Sequence, residues 1–257
     1  AKAAGMVAAD DRTLTEADFL LSIVPPGDAL ALAQRLAPVL TAASKKPAYV
    51  DCNAVSPPTK IQIGQVIAKA GAPFVDVGII GLPPRVGYDG PAMIVSGPDS
   101  GKFAPLGDFG LKLRVVEGEI GAACAVKMSY AGITKGITAL GSMMMLASTR
   151  GGVAEELRYQ LERSHPYFVA NFQRAVPDMY SKAYRFIGEM EEIAKTFAAV
   201  GFSPALFESV ADLYRFVAAS PIASTTSTAT STRPISDPRS TTSRSTVTSR
   251  IRRRPPA

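Results

Sequence analysis

Ile120-Gly-Ala-Ala-Cys-Ala-Val-Lys127-Met-Ser-Tyr-Ala-Gly132 is the stretch on which the reading of this chain turns. Before it, short apolar runs alternate with helical patterns. After it, only helical patterns remain. The apolar spacing continues through Met143, Met144, Met145 and Leu146, with Lys135 as the one added charge, and predicts a single long helix over 121–148. Apolar residues occupy most of its faces, so the helix is expected to be buried. Two readings of Lys127 stay open on the pattern alone. One is a side chain that runs its stem along the helix and leaves its head in water. The other is a buried amine, costly unless paired and pushed toward its neutral form, which is what a general base requires.

Working outward toward the N-terminus, 19–24, 48–51, 74–80, 92–96 and 111–116 read as strands. Helical spacing covers 28–43 and 57–70, and a short helix is expected over 99–109. Ser56 followed by Pro57 and Pro58 is a helix-start signature. Such alternation predicts a layered α/β domain with a largely parallel sheet. Toward the C-terminus, helical patterns cover 121–149, 152–164, 166–176, 178–199 and 204–218. Gly151-Gly152, Pro166, Pro177 and Gly201 punctuate them.

Residues 221–257 differ in kind: 17 of these 37 are serine or threonine, with seven arginines and one aspartate. Such a segment cannot bury a core, so disorder is expected there. The formal charge of +6 belongs to this tail, since the remaining body is neutral. That distribution argues against a nucleic-acid partner for the body, although an Arg-Ser tail could bind phosphate. Cys52 and Cys124 lack metal-ligand or redox-pair spacing and read as buried free thiols. His165 is the single histidine, so no metal site is expected. No signal peptide or membrane span is read, because the apolar run 136–148 is too short to cross a bilayer. A cytoplasmic protein is expected.

The residues then carry a resemblance. Gly121 through Lys127 to Gly132 resembles the catalytic-lysine helix of the β-hydroxyacid dehydrogenases, the group of 3-hydroxyisobutyrate and 6-phosphogluconate dehydrogenases. Ser22-Ile-Val-Pro-Pro26 and Tyr49-Val-Asp51-Cys-Asn53-Ala-Val-Ser-Pro57 are similar to the strand-end loops that border the dinucleotide. Phe74-Val-Asp76-Val-Gly78-Ile-Ile80-Gly81 is similar to the substrate loop. The resemblance spans about residues 1–218. It is closest to the branch with a putative C-terminal domain of NAD-binding phosphogluconate dehydrogenase-like proteins.

What the resemblance implies is an α/β Rossmann-type domain over 1–118, incomplete at its N-terminus, then an all-helical domain over 119–220 and the tail over 221–257. It implies hydride transfer between a nicotinamide, NADP or NAD, and a hydroxyl or carbonyl substrate, with Lys127 as general acid/base. Gly81, Ile80 and Tyr130 would face the small-molecule substrate. Val24, Pro25, Pro26 and Asn53 would border the cofactor, and a homodimer is expected. The chain also departs from the family. Relatives open with a strand, a G-x-G-x-x-G turn and a helix, and these 257 residues hold no such motif. The sequence is therefore expected to start late, with residues 1–6 as the remainder of a helix. The missing turn would supply the amides that hold the pyrophosphate. Asp10 and Asp11 read as solvated loop charges and do not replace it. Many relatives carry serine and two glycines where this chain has Ile80-Gly81-Leu82. They place asparagine where it has Ala131, with Tyr130 offering a hydroxyl one residue earlier. Arg85 reads as a surface arginine or an anion contact. A catalytically inactive remnant serving as a dimerisation or interaction module is the alternative function.

Overall fold

The computed structural model describes residues 5–222, so the disorder expected of the tail lies outside the described residues from 223 onward. Five strands form one sheet: β1 (Phe19–Ser22), β2 (Ala48–Asp51), β3 (Phe74–Ile80), β4 (Ala92–Ser96) and β5 (Lys112–Val115). They lie in chain order across the sheet. All neighbours are parallel except β3 and β4, which run antiparallel. The expected α/β domain with a largely parallel sheet is therefore present, followed by the expected helices.

Burial on both faces explains the continuous apolar strands. Every residue of β2 is buried. On one face, Tyr49, Phe74, Leu36, Leu40, Ile63 and Ile67 pack together beneath α2 (Ala29–Ala42) and α3 (Pro57–Lys69). On the other, Val50, Val75, Val77, Met93 and Val95 pack with Phe103, which belongs to the 3-10 segment Ser100–Phe109. Ser56 caps α3 as its sequence predicts, accepting the Thr59 N–H at 3.4 Å. The short helix α1 (Asp11–Leu14) corrects the reading of 10 and 11 as loop charges. The Asp10 carboxylate accepts the Thr13 N–H at 2.7 Å, and Asp11 pairs with Arg35 at 3.2 Å.

The long helix α4 (Ala122–Arg150) is followed by α5 (Ala154–Ser164), α6 (Pro166–Tyr180), α7 (Ala183–Ala199) and α8 (Ala205–Ala218). Pro177 does not end a helix, contrary to expectation. Its missing bond would have gone to the carbonyl of Gln173, and both residues face solvent, where water can take that carbonyl. Met179, buried at the end of α6, keeps the last turn packed. A second correction concerns α4 itself. Its buried face is made of small residues such as Ala123, Ala131, Gly132, Ala139 and Gly141, together with Met128. The larger residues Tyr130, Ile133, Leu140, Met144 and Leu146 are exposed. Small side chains admit β3, α7 and α8 at close range, and one side of the helix is left uncovered within the single chain.

Candidate active site

The carboxyl ends of β1, β2 and β3 point to one side, where α4 packs on β3 and α7 lies against the turn Pro26–Asp28. Asn53 ties the first two loops together. Its side-chain oxygen accepts the Val24 N–H at 2.7 Å, and its amide nitrogen donates to the Ser22 hydroxyl at 2.8 Å. Its own N–H donates to Asp51 at 2.9 Å. The side-chain amide is thus spent on shaping the loop rather than left free for a ligand. At β3, Gly78 lets α4 approach. A Cβ there would sit 2.9 Å from the Ala123 carbonyl oxygen and 2.9 Å from Lys127 Cβ. Gly81 then turns the chain at φ +136°, in a space where a Cβ would fall 2.5 Å from the Tyr88 hydroxyl.

Between these loops and α7 lies a crevice of about 700 Å³. Val24, Pro25, Pro26, Asn53, Gly81 and Lys127, all singled out from the sequence, line it. Ile80 does not: Ile79 lines the crevice instead, because successive strand residues point to opposite faces. Nor does Tyr130, which lines a separate cavity of about 290 Å³ together with Thr134, Asn171 and Arg174. Arg85 is exposed in the loop beyond Gly81, bridged to Tyr88, and stands away from the crevice.

Lys127 is not the isolated buried amine that its sequence surroundings suggest. Its side chain keeps 18% exposure, and its Nζ lies 3.5 Å from Oε1 of Glu189. The other oxygen of Glu189 holds Lys135 at 2.5 Å. One carboxylate therefore serves two ammonium groups. Burial lowers the Lys135 pKa, against the pull of Glu189. Burial alone would raise the Glu189 pKa, but Lys135 and Lys127 bring it below the usual carboxylate value. Lys135 also sits 4.7 Å from the Phe186 ring centre.

Beneath the crevice lies a charged cluster that the sequence reading missed. Lys60, Asp51 and Asp76 have fully buried side chains. Lys60 Nζ donates to Asp51 Oδ1 at 2.6 Å and to the carbonyls of Asp51 and Asn53 at 2.9 and 3.3 Å. It also lies 3.4 Å from Asp76 Oδ1. Burial opposes its charge, yet Asp51 and Asp76 more than offset this and raise its pKa. Asp76 Oδ2 accepts the Gly121 N–H at 2.9 Å and the Ser96 hydroxyl at 3.0 Å, and the Ser96 oxygen accepts the Ala123 N–H at 2.9 Å. The strands thus cap the N-terminus of the helix that carries Lys127. A signal was present in the sequence: Lys60, Ile63, Gly64 and Ile67 share one helical face. Glu189 likewise falls on the face of Ile193. Burial pushes the Cys52 thiol up to about 12 and raises that of Cys124 as well, which favours the thiol over the thiolate.

A family model described as a domain of unknown function (DUF1932) matches residues 149–217. A conserved hypothetical protein from Sinorhizobium meliloti is 24% identical, with TM-score 0.62 over 80% of this chain and 69% of its own. The conserved protein MTH1747, of unknown function and structurally similar to 3-hydroxyacid dehydrogenases, is 26% identical, with TM-score 0.60 over 84% of this chain and 82% of its own. The chain has the β-hydroxyacid dehydrogenase fold. A 3-hydroxyisobutyrate dehydrogenase from Mycobacterium tuberculosis, solved with L-serine, shares that fold at 18% identity, with TM-score 0.61 over 84% of this chain and 81% of its own. No curated protein matches in sequence. The fold implied by the resemblance of the Lys127 helix is borne out. Among the described residues, no helix of this β-hydroxyacid dehydrogenase fold is long and apolar enough to cross a membrane.

Proposed function

We propose that the chain is an NAD(P)-dependent oxidoreductase of the β-hydroxyacid dehydrogenase type, acting on a small hydroxyl or carbonyl substrate with Lys127 as general acid/base. The observation that supports this best is the placement of Lys127. Its amine reaches the crevice at the carboxyl ends of the parallel strands, where open α/β sheets bind dinucleotides, and Glu189 is its counter-ion. The residues present fit the nicotinamide end of such a cofactor. Ile23, Val24, Pro25 and Pro26 form an apolar wall, and the Gly27 and Gly81 backbones allow close approach. When bound, a nicotinamide supplies the hydride-exchanging carbon. Lys127 takes the hydroxyl proton during oxidation and returns it during reduction. Glu189 holds the ammonium in place, and Gly81 contributes backbone to the substrate side.

The reading divides the chain near residue 119 into a sheet-bearing cofactor domain and a helical domain. It includes a homodimer. Helix α5 buries no residue at all, and the large side chains on the open side of α4 want a cover. An inactive interaction module is the second reading, favoured by the Asn53 side-chain amide being spent on Val24 and Ser22 rather than left for a ligand.

Titration of NADPH and NADH, followed by nicotinamide fluorescence, separates the two. Saturable micromolar binding, with turnover of 3-hydroxy acids abolished in Lys127→Ala while cofactor affinity is retained, is the expected result. Absence of binding up to millimolar cofactor would leave the interaction module.

A further inference from the structure

Lys135 stands where two cavities meet. Together with Phe186 it lines both the crevice that holds Lys127 and the separate cavity of about 290 Å³ between α4 and α6. That second cavity is polar on one side, with Tyr130, Thr134, Asn171 and Arg174 in its wall. Glu189 joins the two lysines, with Oε1 lying 3.5 Å from Lys127 and Oε2 lying 2.5 Å from Lys135. A reaction in the crevice has a proton to dispose of. Each oxidation releases one, and substrate and nicotinamide would together cover the crevice side of Lys127. The Glu189 carboxylate offers a way out.

We propose that Lys127, Glu189 and Lys135 form a proton relay that connects the crevice to the second cavity. This rests on the proposed function and extends it. In the oxidative direction a bound nicotinamide would supply the hydride acceptor for the substrate carbon. The O–H bond gives its proton to the Lys127 nitrogen, and the C=O bond forms. The Lys127 ammonium passes a proton to the Glu189 carboxylate. The carboxyl turns about its Cγ–Cδ bond and delivers that proton to the Lys135 amine. Lys135 releases it to water in the second cavity. Reduction runs the same steps backward.

Several charged groups face Lys135. Lys127 lies on its own helix, and Glu189 and Arg185 come from α7. Tyr214 of α8 donates its hydroxyl to the Lys135 carbonyl at 3.0 Å. Across the second cavity stand Arg174, bonded to Asn171, and Asp178, held by Lys182. Burial and the Lys127 charge favour a neutral Lys135, and Glu189 favours a charged one.

Two measurements test the relay. Lysine-selective NMR on the uncomplexed chain reads the titration of Lys135. Glu189→Gln should lower its midpoint and Lys127→Met should raise it, each by about half a pH unit or more. If neither moves it, the three groups are not linked and the relay is overturned. The second measurement is turnover in dilute buffer. Lys135→Met should lose about tenfold or more in kcat, with KM for cofactor unchanged, and added methylamine should restore the rate. Lys135→Arg should not, because a guanidinium does not titrate in this range. A wild-type rate in Lys135→Met, or a loss that methylamine leaves untouched, reduces Lys135 to a structural counter-ion and overturns the relay. A chain without cofactor binding or Lys127-dependent turnover removes the proposed function, and the relay falls with it even where the NMR linkage persists.

Discussion

Gly78 and Lys60 decide where Lys127 can be, and neither touches the crevice. At Gly78 the neighbours of an added Cβ are a backbone oxygen and the Lys127 stem itself, so the helix would have to move. Gly78→Ala should cost about 1–3 kcal/mol of stability, as overpacked cores do. Lys127-dependent turnover should fall further than stability does. Urea unfolding beside turnover checks this, and wild-type stability would show that α4 has room to spare. Lys60 answers two carboxylates in a space closed to water. Lys60→Met leaves Asp51 and Asp76 buried without their cation, and a loss of about 3–5 kcal/mol is expected. A urea midpoint within error of wild type would mean that the two carboxylates find another partner.

At the scale of the element, α7 fastens the helical half to the sheet half through two glutamates. Glu189 receives the lysines of α4. Glu192 receives the Ser56 N–H at 2.7 Å and the Thr59 hydroxyl at 3.0 Å, both at the start of α3. Burial would raise the Glu192 pKa, but Lys195 and the Ser56 N–H lower it. Both carboxyls thus hold their protons less tightly in the folded chain than the ordinary value of 4.5. Their stabilisation is present above that value and is lost as pH falls through the lower folded-state values, because the unfolded chain then binds more protons. Stability followed by urea from pH 7 to pH 3 should decline along this limb, and Glu189→Gln or Glu192→Gln should flatten it. An unchanged slope in both variants would assign the acid limb to other groups.

The molecule as a whole exposes more apolar surface along α4 than one chain explains. With α5 burying nothing, a second copy is the cover that the proposed function calls for. Light scattering should therefore give about twice the 27.0 kDa chain mass. Charged substitutions on the open face, Leu140→Glu with Met144→Glu, should return it to the monomer. A monomeric wild-type chain would end the dimer proposal.

Local pattern was enough for the alternation of strand and helix, the long helix at 122–150 and the loops at the strand ends. These follow from apolar period and from punctuation by proline and glycine, which act within a few residues. Six of the eight residues marked from the sequence line the crevice; Ile80 and Tyr130 do not, because which way a side chain faces depends on the neighbouring element. The Lys60 cluster, the glutamate shared by Lys127 and Lys135, and the second cavity were decided only in three dimensions. Asp51, Lys60, Asp76 and Ser96 lie on four separate elements, and Glu189 is 62 positions from Lys127. Charges that far apart in sequence meet only through packing, and a buried charge is tolerated only where packing supplies its partner.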